Sequence, residues 1–326
     1  MLYMKNIIVL LILLFAFQLS SAQVNILNAK VASEIGVKTA AQKEADNDRP
    51  LPYGYVDDRD ILWSVEVWEV IDLNERANFP LLFPTDTLEV DAYRRSLYDV
   101  LLKNIKNGKI KDLYSDSYFT QTKTTAQIEA SMSKIDTLDV GYEELNAGQP
   151  LSPEYITRRN LEASDIAQYH IRGIWYFDKR QGELKYRLLA LAPVAPDVNF
   201  IDSDDSTMSA LVPLFWIFYP QVRDILHEAK TFNRKNDARP MSFDHLLNAR
   251  MFSSVIYQEA NVYGDRKIKD YIPNNALLQL LESDKIKEKI RDREQDMGKL
   301  ILNSHSIHNC FESTCFECAF KTVMIF

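Results

Sequence analysis

Cysteine is almost absent from this chain of 326 residues: all three, Cys310, Cys315 and Cys318, fall in its last seventeen. No disulfide can therefore staple the body, and core burial must hold it together. Glycine is scarce too, at nine residues, which excludes a fibrous or low-complexity chain. After the N-terminal residues no apolar stretch approaches the roughly 20 residues that span a bilayer. The chain also lacks positive charge, with 38 Lys and Arg against 46 Asp and Glu. A net charge of -8 disfavours polyphosphate, and nucleic acid is not an expected partner.

What is present begins with a leader. Lys5 precedes an apolar run over residues 7–17, and Ser20, Ser21 and Ala22 supply the small residues of a cleavage site. Residues 1–22 read as a secretory signal peptide, which places the mature protein outside the cytoplasm. No cysteine follows the small residues, so attachment to a membrane must come through a partner. Residues 23–50 are polar and aperiodic, a flexible leader or partner-binding arm.

From residue 51 the patterning becomes that of a folded domain, 46% of the whole chain being apolar. Residues 61–72 alternate apolar and polar, which predicts a half-buried strand. Pro80 and Pro84 punctuate a loop, and Tyr93, Leu97, Val100, Leu101 and Ile105 mark one face of a helix that Gly108 ends. Residues 166–178 and 185–192 predict a hairpin through the turn at 179–182. Residues 211–219 form a buried apolar run, Pro220 opens a helix carrying Val222, Ile225, Leu226 and Ala229, and Ser242 caps another through Met251. A long last helix is expected over residues 277–300, leucine-rich at its start and densely charged afterwards. The fold class is α+β, mixed helices and antiparallel strands. Residues 97–114 resemble residues 252–271 in order, which implies two similar halves, each with an apolar helix before the break. The domain spans 51–303, and residues 304–326 form an atypical tail.

Three segments resemble one known family. They are Trp63-Ser64-Val65-Glu66-Val67-Trp68 with its continuation to Pro84, Trp175-Tyr176-Phe177-Asp178 with residues 189–194, and Pro213-Leu214-Phe215-Trp216-Ile217-Phe218-Tyr219-Pro220 with residues 221–223 and 232–237. In order and spacing these are similar to the GldN/PorN proteins of Bacteroidetes gliding motility and type IX secretion, over residues 51–283. The resemblance implies a non-catalytic periplasmic subunit that forms rings with an outer-membrane lipoprotein (GldK/PorK) and meets the periplasmic part of a motor protein (GldM/PorM). It implies no catalytic, cofactor-binding or metal-binding residue.

The residues themselves offer little chemistry. His170, His227 and His245 sit in neither a His-Glu-x-x-His nor a Gly-x-Ser-x-Gly motif and read as structural. Asp57, Asp58 and Asp60 pair carboxylates, yet Arg59 makes a self-compensated loop the plainer reading. Residues 202–206 imitate a calcium loop, but Thr207 stands where its turn needs glycine. His305, His308, Cys310, Cys315 and Cys318 offer zinc-ligand types in a tail that reads as divergent, and no metal is expected there. The aromatics Trp63, Trp68, Trp175, Phe215, Trp216, Phe218 and Tyr219 belong to a core, with an interface as the alternative. Beyond Asp284 the last helix carries Ile286, Ile290 and Met297 as a thin apolar stripe, suited either to docking on a neighbour or to a solvated surface. The alternative to a structural subunit is a periplasmic hydrolase or carbohydrate-binding protein, which a pocket joining His170 to an acid would favour. A third is a soluble adaptor that binds one partner.

Overall fold

The computed structural model describes residues 49–86, 94–137, 153–199, 211–233 and 240–312, with 31 and 146 singly, and side chains throughout except at 136 and beyond 297. The chain divides into Met1–Leu51 and Pro52–Phe326, and the elements described belong to the second unit. Strands are β1 (Ile61–Asp72), β2 (Leu113–Tyr114), β3 (Ser133–Thr137), β4 (Ile156–Asn160), β5 (Gln168–Asp178), β6 (Glu183–Pro196), β7 (Leu211–Pro213), β8 (Trp216–Phe218), β9 (Lys230–Thr231), β10 (Met241–Ser242) and β11 (Val255–Glu259). Helices are α1 (Phe79–Leu82), α2 (Leu97–Lys106), α3 (Thr125–Met132), α4 (Tyr219–Glu228), α5 (Phe243–Asn248), α6 (Ile268–Tyr271) and α7 (Ala276–Glu312). The α+β class is as the sequence indicates.

The main sheet runs β11-β1-β5-β6-β8-β2, with β7 added to β6, and every pairing in it is antiparallel. The expected strand 61–72 stands one in from the edge, between β11 and the expected hairpin, whose turn holds Gly182 at φ +67°. Register slips between Trp68 and Glu69 against β11, between Arg172 and Gly173 against β6, and between Ile61 and Trp63 where β1 starts against β5. At the second slip a Cβ on residue 173 would lie 2.1 Å from the Tyr186 hydroxyl oxygen. Only glycine leaves that ring room to cross the strand.

One large core joins the sheet to the helices. Ile71, Tyr169, Ile171, Leu188 and Leu191 pack with Leu97, Leu101 and Ile105 of α2, Val222 and Leu226 of α4, and Phe243 and Leu247 of α5. The Ser96 hydroxyl accepts from the Asp99 amide to cap α2, and Gly108, the stop expected from the sequence, follows its end at φ +69°. Pro220 occupies the first turn of α4, which starts at Tyr219. Ser242 caps α5, which stops at Asn248 rather than reaching Met251. Tyr93 and residues 202–206 lie outside the described residues.

Two further clusters lie elsewhere on the sheet. Val67, Ile256, Ile268, Ile286 and Ile290 join α6 and α7 to β1 and β11, with Trp63, Trp175 and Leu184 against them. Trp68, Ala190, Ala192 and Trp216 form the other with Tyr114, Phe119 and Tyr257. The seven aromatic rings expected in a core are thus buried or half-buried.

Among the described residues the two segments expected to repeat do not share a structure. Residues 97–106 are a helix, but their counterpart at 252–259 is a bend leading into β11; residues 113–114 are a strand, but 268–271 are helical. An apolar segment of about five residues carries too little periodicity to separate helix from strand, and pairing with β1 decides it. The last helix also runs past residue 300, to Glu312.

Candidate functional site

Three arginines organise the polar groups of the domain. Arg223 on α4 grips Asp244 on α5 with Nε at 2.9 Å and Nη2 at 3.1 Å, one nitrogen to each carboxylate oxygen. The same carboxylate accepts from the Tyr219 hydroxyl at 2.8 Å and from Asn248 Nδ2 at 2.7 Å. Tyr53, just before the sheet, lies under the Arg223 guanidinium at 4.1 Å and under that of Arg187 at 4.7 Å, and donates to Asn248 Oδ1 at 2.7 Å. Burial, the largest influence, pushes the Tyr53 phenol up to about 12. This cluster ties the start of the domain to its helical layer.

Arg250 makes the second clamp. Its Nη1 and Nη2 reach the two oxygens of Glu69 at 3.1 and 2.7 Å, and Ser254 donates to the same carboxylate. Its guanidinium stacks over Tyr186 at 4.2 Å, the ring that Gly173 admits. Glu69 has no exposed surface, so its charge depends on this one arginine. Beside it a groove of about 270 Å³ separates α7 from the sheet, lined by Trp175, Leu184, Lys287 and Glu294 among others. Lys287 already donates to the Ser254 carbonyl at 2.8 Å. In the third clamp Arg172 pairs with Glu66, donates to the Ser117 carbonyl at 2.7 Å, and sits between the rings of Trp68 and Tyr118 at 5.2 and 4.9 Å.

Each of these carboxylates is committed to a guanidinium fork. Such an arrangement locks loops and helices to strands.

The histidine and acid candidates stay dispersed. His170 lies half-buried on β5 against Tyr257 at 5.2 Å and Trp216 at 6.4 Å, and burial, assisted by Lys267, pushes its pKa down to about 4. Among the described residues its ring contacts are these two aromatics, with no carboxylate hydrogen-bonded to it. His227 falls in the last turn of α4, and His245 belongs to α5, its amide donating to Ser242. Asp57 pairs with Arg59 at 3.3 Å, within the turn, while Asp60 pairs with Arg180 of the hairpin turn at 3.1 Å, so those carboxylates serve separate partners. Among the described residues no group of three His, Cys, Asp or Glu could hold one metal ion. His305, His308 and Cys310 lie in α7 beyond its described side chains, and Cys315 and Cys318 lie outside the described residues.

The unusual surface is at the start of α7. Ile286 and Ile290 are buried against the sheet, so the stripe expected to meet a neighbour or solvent meets the domain's own strands. One and two turns earlier on the same face stand polar residues: the Ser283 hydroxyl accepts from the Ile256 amide at 2.9 Å, and Gln279 Nε2 donates to the Ile272 carbonyl at 2.7 Å. With that face inward, Leu277, Leu278, Leu280 and Leu281 turn outward, exposed by 68, 47, 47 and 48%. Tyr271 at the end of α6 and Val262 and Tyr263 in the loop before it are exposed as well. Scattered exposed leucines are ordinary, but four within five residues of one helix make a contiguous apolar ledge. The sequence showed the leucines. Their outward orientation could have been found by extending the Ile286–Ile290 spacing backward to residues 283 and 279.

Among the described residues no helix is long and apolar enough to cross a membrane. A family model described as gliding motility associated protein GldN matches residues 56–299, from just before β1 into α7. No curated protein matches the chain.

Proposed function

This chain belongs to the gliding motility associated protein GldN family, and from that membership we propose that it is a non-catalytic structural subunit of the gliding motility and type IX protein secretion machinery. It works in the periplasm after export, held near the outer membrane by a lipoprotein of the GldK/PorK type with which it builds a ring. The periplasmic part of a GldM/PorM-like motor protein is its second partner. The observation that carries this reading is the family match across 56–299, which takes in the whole main sheet. The side chains support it: Asp244, Glu69 and Glu66 are held by arginines, while apolar surface is left outside.

Co-expression with a GldK-type lipoprotein, followed by size-exclusion chromatography with light scattering, tests the assembly. A large particle of fixed stoichiometry is expected. A one-to-one complex would reduce the chain to an adaptor, and failure to co-elute would remove the proposal.

A further inference from the structure

Lysines gather where α2 ends. Residues 103–111 hold Lys103, Lys106, Lys109 and Lys111 and no acid, in a chain whose acids outnumber its bases by 46 to 38. All four are exposed. Lys103 and Lys106 stand about one turn apart on the helix, and Lys109 and Lys111 flank Ile110, which is buried in the core with Leu113. The turn between the two pairs is fixed. The Gly108 amide donates to the Ile105 carbonyl at 2.9 Å, and the Lys109 and Ile110 amides donate to the Asn104 carbonyl at 3.0 and 3.2 Å.

Their charge is left unbalanced. Other exposed bases of the domain meet acids, among them Lys285 with Glu282 at 3.2 Å, Lys289 with Glu259 at 3.5 Å and Arg59 with Asp57 at 3.3 Å. Among the described residues no ion pair includes any of the four lysines of this row. The acids nearest in sequence serve elsewhere: Asp99 is half-buried beside Ser96 and Arg95, and Asp112 accepts from Gln221 of α4 at 3.2 Å. The partial negative charge at the end of a helix accounts for Lys103 and Lys106, but Lys109 and Lys111 lie past it and add repulsion.

Four cations in one short, rigid row suit a partner with several negative charges. An anionic lipid surface is disfavoured, because Leu97, Leu101 and Ile105 of α2 are buried and leave the acyl region nothing to receive. A broad anionic sheet also meets the net charge of -8, whereas a narrow segment within a Debye length of about 8 Å senses chiefly the row. We propose that the row from Lys103 to Lys111 is the docking site for an acidic segment of another protein, whose Asp or Glu side chains pair with the four ammonium groups. The inference stands on this surface alone and does not depend on which assembly the chain joins.

The test uses the full chain and a labelled synthetic peptide of Glu-Ser repeats, titrated by fluorescence anisotropy, with a Gln-Ser peptide as control. The glutamate peptide is expected to bind, more weakly as salt is raised, and the glutamine peptide is not. Lys103→Gln, Lys106→Gln, Lys109→Gln and Lys111→Gln combined should weaken binding roughly tenfold or more. Lys103→Arg, Lys106→Arg, Lys109→Arg and Lys111→Arg combined should retain it. Arg59→Gln, Lys285→Gln, Lys289→Gln and Arg291→Gln combined remove the same net charge elsewhere and should cost less than about threefold. Circular dichroism melting separates lost binding from lost folding, and Lys109→Gln with Lys111→Gln, which leaves the helix untouched, should give part of the loss.

Absence of binding, equal binding of the two peptides, or equal losses in the two fourfold glutamine variants overturns the proposal. So does self-association of the chain alone that the lysine substitutions abolish, which assigns the row to a second copy. Binding to phosphatidylglycerol vesicles in preference to the peptide, lost in the same variant, assigns it to a membrane.

Discussion

Three clamping arginines lie inside this domain and four leucines of α7 lie on its outside, and the contrast between the clamp at Arg250 and the ledge at Leu277 shows how its surfaces are divided. Inside, Arg250 lies within stacking distance of Tyr186, Trp175 and Phe252 and neutralises a carboxylate with no exposure. Outside, four leucines rest on nothing described because Ser283 and Gln279 have taken the inward face of the helix. The first region stabilises the fold, and the second contributes little to it. Substitutions in the two should therefore differ sharply in their effect on folding.

The largest effect is expected from Arg250→Ala, which strands the Glu69 charge in a buried site. A loss of about 3–5 kcal/mol should appear in urea unfolding, with Glu69→Gln added to Arg250→Ala restoring part of it. If Arg250→Ala behaves like a surface substitution, the clamp is not holding the sheet edge.

Next comes His170. Its folded pKa of about 4 lies below the ordinary value of 6.5, so between those limits the unfolded chain binds a proton that the folded chain refuses. Stability attributable to this residue is intact above pH 6.5 and falls as pH drops toward 4, by about 3 kcal/mol in total. His170→Gln should flatten that part of the urea-midpoint profile; an unchanged slope would show that other groups produce it.

Gly173→Ala should follow, at about 1–3 kcal/mol, because the new methyl meets Tyr186 in a filled site. Tyr186→Phe should not rescue it, since ring carbon Cζ also stands 2.3 Å from the added atom. The smallest change in stability belongs to Leu277→Gln with Leu281→Gln, within about 0.5 kcal/mol. A loss of several kcal/mol there would mean that the ledge is covered in the free protein.

Legibility in the sequence followed range. The strand at 61–72, the hairpin at 168–196, the cap at Ser242 and the end of α2 at Gly108 were readable because period and turn chemistry act over a few residues. β11 was misread as helical because its identity comes from pairing with β1, nearly two hundred residues away. The apolar run 211–219 was read whole, but β7 pairs with β6 through Pro213 while β8 begins only at Trp216. The clamps were invisible for the same reason: Glu69 and Arg250 are 181 positions apart, and Glu66 and Arg172 are 106. The leucine ledge was half legible, its composition plain and its direction dependent on which helix face the sheet accepts.

The hydroxyl of Ser283 has a mechanical consequence. It is the partner of an amide in an edge strand, and α7 cannot roll about its long axis without stripping that amide of its acceptor. The bearing of Leu277 and Leu281 is thus fixed by a hydrogen bond to the sheet rather than by any contact of their own.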